Sequence, residues 1–190
     1  MAFGTVWHME VTTRMTDRGR SSVLAAAVAG DEIAFRRIIA AHHDDMRRVA
    51  LYVTRDRTLA DEATQAAWVI AWKKLGKVRD EDHLRPWLVS VSAYEAKRVL
   101  RNHRRRDRVE VPSDESLEPS GLDPSADVGT LDLRRALDRL DPDDRALLAM
   151  RYGAGFNSNE LAAATGISPS GTRSRIERLL KRLREDLADG

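Results

Sequence analysis

Residues 107–130, DRVEVPSDESLEPSGLDPSADVGT, hold three prolines, two glycines and almost no large apolar side chains. Acids crowd the same stretch, seven against one arginine between 107 and 127. A segment of this kind cannot bury enough apolar surface to offset its ordering entropy, so it reads as a linker. It cuts the chain into two blocks, 22–106 and 131–190, behind a disordered leader at 1–21. Each block is short enough to be one small domain.

Both blocks carry helical periodicity. Phe35, Ile38, Ile39, His42, Met46, Val49 and Val53 recur at three- and four-residue steps, one face of an amphipathic helix capped by Gly30-Asp31. A second helix is predicted at 59–75, with Ala63, Ala67, Ile70 and Leu75 turned inward, Trp68 and Trp72 beside them, and Gly76 ending it. After the polar loop KVRDEDH, Pro86 is expected to open a third helix, PWLVSVSAYEAKRVLRNHRRR. Beyond the linker, Leu133, Leu137 and Leu140 form a stripe. Asp141-Pro142 caps a helix carrying Ala146, Leu147 and Met150, and two short helices follow. Aromatic residues are only 5% and strand-type alternation is hard to find, so the expected fold is all-α: two small helical domains joined by a flexible acidic linker, the C-terminal one a helix-turn-helix.

Several function classes drop out. Without cysteine there is no disulfide framework and no thiolate metal site. The small-apolar run 23–29 is too short to span a bilayer, and the N-terminus lacks the long apolar stretch of a secretory signal, so a cytoplasmic protein is expected. Met15 begins an ordinary cytoplasmic start, MTDRGRSS, leaving the first fourteen residues without an expected role. The run HHDD at 42–45 invites a metal, but adjacent helical residues point about 100° apart and no chelating pair results. Asp141, Asp143 and Asp144 read as a helix-start cluster favourable to the dipole. No phosphate-binding loop, dinucleotide fingerprint or nucleophile–base arrangement is present, so neither an enzyme nor a bound cofactor is expected.

Charge distribution says more than the net charge of +2. KRVLRNHRRRDR at 97–108 carries seven basic residues against one acid, directly ahead of the acidic linker. A basic surface for nucleic acid followed by an acidic tether fits that segregation. At the C-terminus, ELAAATGISPSGTRSRIERLLKRLR combines a short helix, a turn at Gly166, a cap at Ser168, Pro169 in the first turn and a new helix. Ala162 is small enough for a close helix crossing. Ile176, Leu179, Leu180 and Leu183 face inward, while Arg173, Arg175, Arg178, Lys181 and Arg182 face outward. This is helix-turn-helix grammar, whose second helix enters the major groove.

With these motifs in place, the chain resembles the bacterial sigma factors, specifically the small two-domain extracytoplasmic-function group. AFRRIIAAHHDDMRRVALYVTRDRTLADEATQAAWVIAWKKL looks like the first two helices of that family, with Glu62 and Gln65 as its acidic-x-x-Gln signature. RPWLVSVSAYEAKRVLRNHRRR resembles its promoter-melting helix. The resemblance implies that residues 22–106 form the domain that binds core polymerase and the −10 element, and 131–190 the domain that binds the −35 element. Glu62 and Gln65 would dock on the clamp helices of the polymerase β′ subunit, with the β flap as the second polymerase contact. Arg85, Tyr94, Lys97, Arg98, Arg101, Arg104 and Arg105 would serve the −10 element, where an extruded base needs a pocket and an electropositive path. Arg173, Ser174, Arg175, Glu177, Arg178 and Lys181 would read the −35 element. Trp87 is either a stacking platform or core, and the linker either a polyanion mimic in a nucleic-acid channel or a solvated tether. An anti-sigma partner is implied, a membrane is not.

The chain departs from the family at several positions. Gln65 is followed by Ala66 in place of a usual Glu; Tyr94 and Arg98 stand where an Asn and an Asp are common. Gly171-Thr172 replaces a usual Thr-Val, and Glu177 a commonly aromatic or His residue. Gly171, Thr172 and Glu177 are therefore expected to set a distinct −35 preference, since a carboxylate can accept from cytosine N4. The rival reading is a helix-turn-helix transcriptional regulator with a helical partner-binding N-terminal domain. It accounts for 131–190 but not for the order of docking face, basic helix and acidic linker.

Overall fold

A computed structural model of the protein describes residues 22–107 and 128–188, and every regular element among them is helical. The expected leader and almost all of the linker lie outside the described residues. α1 (Val23–Val28) is capped by the Ser22 hydroxyl, which accepts from the Ala25 N–H at 3.0 Å. α2 (Glu32–Thr54) begins where the Asp31 carboxylate accepts from the Ile33 and Ala34 N–H groups at 2.8 and 3.1 Å. α3 (Arg57–Lys74) is capped by Asp56, and a 3₁₀ turn, Leu75–Lys77, closes it.

α4 (Glu81–Asp107) starts five residues ahead of Pro86, within the stretch expected to be loop. The Asp80 carboxylate accepts from the His83 N–H at 3.0 Å, and Glu81 and Asp82 place negative charge in the first turn. Those caps outweigh the missing proline N–H, and Pro86 sits inside the helix rather than at its start. Beyond the linker come α5 (Val128–Asp138), α6 (Pro142–Leu148), a π-helical turn (Ala149–Gly153), α7 (Ser158–Thr165) and α8 (Pro169–Ala188). Leu133 is exposed, so α5 turns Ala136 inward ahead of Leu140 instead of the full leucine stripe.

α2, α3 and α4 pack on one another, and α1 completes a core of Leu24, Ile38, Met46, Ala67, Leu75, Leu84 and Leu88. The other apolar cluster does not stop at the linker. Val49, Val53, Ala96 and Val99 from α2 and α4 join Leu147, Met150, Phe156, Leu161 and Leu179 from the C-terminal block. Thus the two helical blocks share a seam, with the end of α2 and α4 against α6, α7 and the π-helical turn.

Candidate nucleic-acid interface

The helix-turn-helix is built by local capping. Asn157 and Glu160 form a reciprocal capping box at the start of α7, and Gly166 ends it at φ +72°, where its N–H reaches Ala162 O at 2.9 Å. Ser168 then accepts from the Gly171 N–H at 3.1 Å and starts α8. Gly171 has no room for a side chain: a Cβ there would lie 2.8 Å from Ile167 Cγ2 and 3.0 Å from Ser168 Oγ. Thr172 is fully buried, its hydroxyl donating to Pro169 O at 2.9 Å. Two of the three residues expected to set base preference therefore shape the turn, and only Glu177 is exposed to solvent.

Ile176, Leu179 and Leu183 fix the inward face of α8. Arg173, Ser174, Glu177, Arg178 and Lys181 are exposed along the outward face, with Arg178 Nε donating to Ser174 O at 3.3 Å. Arg175 departs from the expectation that it faces outward. Its Nε donates to Asp144 Oδ1 at 2.8 Å and its Nη2 lies 2.6 Å from the same oxygen, because a nearly buried carboxylate on α6 needs a countercharge. Burial, together with the neighbouring Asp141, raises the Asp144 carboxyl above the usual range against the pull of Arg175. Burial also works to raise Asp141, but hydrogen bonds from Asp144 and Asp143 and the nearby Arg175 charge outweigh it and hold that carboxyl low. The aspartates read as a helix-start cluster thus split their roles: Asp141 caps α6, while Asp143 and Asp144 bind cations from two other helices.

On α4, Arg101, Arg104, Arg105 and Arg106 are exposed, whereas Arg85, Lys97 and Arg98 are engaged within the protein. Lys97 Nζ donates to Asp143 Oδ1 at 2.7 Å, Arg98 Nε to Glu95 Oε2 at 2.6 Å, and Arg85 Nε to Asp45 Oδ2 at 2.7 Å. Glu95, only 1% exposed, was legible neither as a site residue nor as the anchor of Arg98. Tyr94 lies at the surface. Trp87 packs against the Leu84–Leu88 core, which favours its core reading over a stacking platform.

Glu62 and Gln65 are both exposed on α3. Continuing at four- and three-residue steps, Val69 and Trp72 are 55% and 43% exposed, extending that strip with apolar surface. Trp72 meets Phe35 edge-on, with centroids 4.7 Å apart, and so lies beside the core, as its spacing implied. Among the described residues no group of His, Asp or Glu could hold a metal ion, and His43 instead accepts from Trp68 Nε1 at 3.2 Å. No described helix is long and apolar enough to cross a membrane.

Comparison with known proteins adds to this geometry. Sigma-70 region 2 matches residues 38–106, and Sigma-70, region 4, matches 130–183. The RNA polymerase sigma factor CarQ of Myxococcus xanthus is 29% identical over 164 residues, covering 84% of this chain and 92% of CarQ. The ECF RNA polymerase sigma factor SigM of Mycobacterium tuberculosis is 29% identical over 168 residues, covering 88% and 84%. A probable RNA polymerase sigma factor of Xanthomonas campestris pv. campestris, RfaY, is 28% identical, but this chain spans 43% of its length. In fold, the chain is similar to CnrH solved in complex with the cytosolic domain of CnrY, with a TM-score of 0.63 at 22% identity, covering 88% of this chain and 96% of that one. It is also similar to RpoE solved with the anti-sigma factor NepR from Bartonella quintana, with a TM-score of 0.62 at 24% identity, covering 81% and 96%.

Proposed function

This chain belongs to the sigma-70 family, in its extracytoplasmic-function group, and from that premise we propose how its helices divide the work of transcription initiation. It binds core RNA polymerase and directs it to promoters. The exposed strip of Glu62 and Gln65 on α3 docks on the β′ clamp helices. α4 serves the −10 element through Arg101, Arg104 and Arg105, with Lys97, Arg98, Arg85 and Tyr94 joining once their present contacts are exchanged for DNA. The outward face of α8 enters the −35 major groove, where Arg178 and Glu177 are placed to read bases and Arg173, Ser174 and Lys181 to hold phosphates. The C-terminal block also meets the β flap.

The observation that carries this reading is the order of parts: a region-2 match ending in a basic helix, then a region-4 match ending in a capped helix with a cationic outer face. On this reading the protein acts as a cytoplasmic initiation factor and not as an enzyme. Two proteins of similar fold were solved in complexes, one with the anti-sigma factor NepR and one with the cytosolic domain of CnrY, which supports an anti-sigma factor as a partner here. The test is runoff transcription with purified core polymerase on promoters of the host. Stimulated, promoter-specific initiation is expected. Its absence, together with tight two-fold-symmetric binding to duplex DNA by the protein alone, would establish the rival regulator reading.

A further inference from the structure

Arg85, Lys97 and Arg98 on α4 are each held by a carboxylate, and the three carboxylates differ in how readily they let go. Asp143, which holds Lys97, has a side chain 65% exposed. Asp45, which holds Arg85, is 23% exposed and has Arg48 Nη1 3.6 Å away as a second cation. Glu95 differs from both: its side chain is 2% exposed, and its Oε2 accepts from Arg98 Nε at 2.6 Å. A carboxylate at the surface is rehydrated when its cation leaves, whereas one closed into the protein is left as an uncompensated charge. Of the three pairs, Glu95 with Arg98 is therefore the one that withstands the arrival of DNA.

Although Glu95 is closed off, 44% of the Arg98 side chain is open to solvent. The anchored atom is Nε, the inner nitrogen of a planar group, so the plane is fixed near its root while the terminal nitrogens lie farther out. Arg98 also sits within an exposed stripe. Tyr94 comes four residues before it, Arg101 three after it and Arg105 four beyond that, so all of them share one face of α4. On one side Arg98 thus has an aromatic side chain, of the kind on which an unstacked base rests, and on the other two arginines that make the strand's path electropositive. A surface arginine that swings freely suits a phosphate, but one with its plane fixed can distinguish hydrogen-bond patterns. Two terminal donors side by side match the O6 and N7 acceptors of guanine.

We propose that Glu95 is a positioning residue for promoter reading, holding Arg98 so that its terminal nitrogens select a guanine in the opened −10 strand. The role rests on the sigma-factor reading and refines it at one residue. Lys97 and Arg85 give up their carboxylates to DNA; Arg98 keeps Nε on Glu95 and turns only its terminal nitrogens to the base.

The test is transcription by core polymerase and the full-length chain from a promoter library randomised through the −10 element. The natural chain should favour guanine at one position by about tenfold or more, the discrimination expected of one bidentate contact. Arg98→Lys keeps the charge without the fork, and Glu95→Gln keeps the size of the anchor without its charge. Each should level output across the four bases at that position. A library with no favoured guanine overturns the proposal. So does an Arg98→Lys protein with its preference intact, which would make Arg98 a phosphate contact. Glu95→Gln separates positioning from a merely structural role: lower output from every −10 sequence in proportion, with the guanine preference retained, also overturns it. If the natural chain stimulates core polymerase on no member of the library and on no promoter of its host, the sigma-factor reading itself fails, and the role of Glu95 with it.

Discussion

Arg175 on α8 donates to Asp144 on α6 at 2.8 Å, so one cation of the recognition helix is spent on holding that helix to its own domain. Asp144 is 6% exposed, and removing Arg175 leaves a nearly buried carboxylate with only the longer, 3.6 Å contact to Arg182 Nη2. Arg175→Ala should therefore destabilise the protein, by about 1–3 kcal/mol in denaturant melts, while leaving the preferred −35 sequence unchanged. Arg178→Ala should do the reverse, weakening recognition at one base position by about 1–3 kcal/mol with the melt unaltered. Melting curves and base-selection experiments on both variants check the pair; a shifted base preference for Arg175→Ala would place it back on the DNA face.

Gly171 is a steric requirement of the turn. Gly171→Thr, which restores the residue usual in the family, drives a Cβ to within 2.8 Å of Ile167 Cγ2 unless the turn shifts. The expected outcome is a lower melting temperature and weaker −35 binding, with both losses reduced when Ile167 is also changed to Ala. A melting temperature equal to that of the natural chain would show that the turn relaxes freely.

Gln65 is exposed and makes no contribution to the core. Gln65→Lys should leave the melting temperature within error and weaken association with core polymerase, measured by competition with another sigma factor. Undiminished competition would remove Gln65 from the docking face.

His42 has its ring held below the ordinary value of about 6.5, chiefly by burial and also by Arg85, with Asp45 opposing. The folded protein thus favours the neutral ring, and the unfolded chain takes up the proton first. Stability contributed by His42 is present above about pH 6.5 and is lost as pH falls toward the lower folded value. Denaturant melts between pH 7.5 and 5 should show that decline, at roughly these pH values, and His42→Gln should flatten it. An identical slope in the variant would assign the decline to other groups.

Much of the architecture was legible because its causes are local. Asp31, Asp141, Gly166 and Ser168 announce their caps within four residues, and the three–four spacing of Ile38, Met46, Val49 and Val53 declares a buried face. The start of α4 was misplaced at Pro86 because a side-chain cap at Asp80 is a quieter signal than a proline. The exposure of Glu62, Gln65 and the outer face of α8 was legible from sequence because solvent-facing residues need only helical phase to place them.

By itself, then, the sequence determined the helices, the turn that aims α8 and the family to which the chain belongs. Only the tertiary structure decided what each charge does. Pairings such as Lys97 with Asp143 span 46 residues and Arg55 with Asp138 spans 83, and no periodicity encodes a contact at that range. The same holds for the apolar seam, in which faces already amphipathic for their own blocks also bury one another. Whether Arg175 reads a base or anchors a helix depends on where a carboxylate 31 residues away comes to rest, and packing settles that.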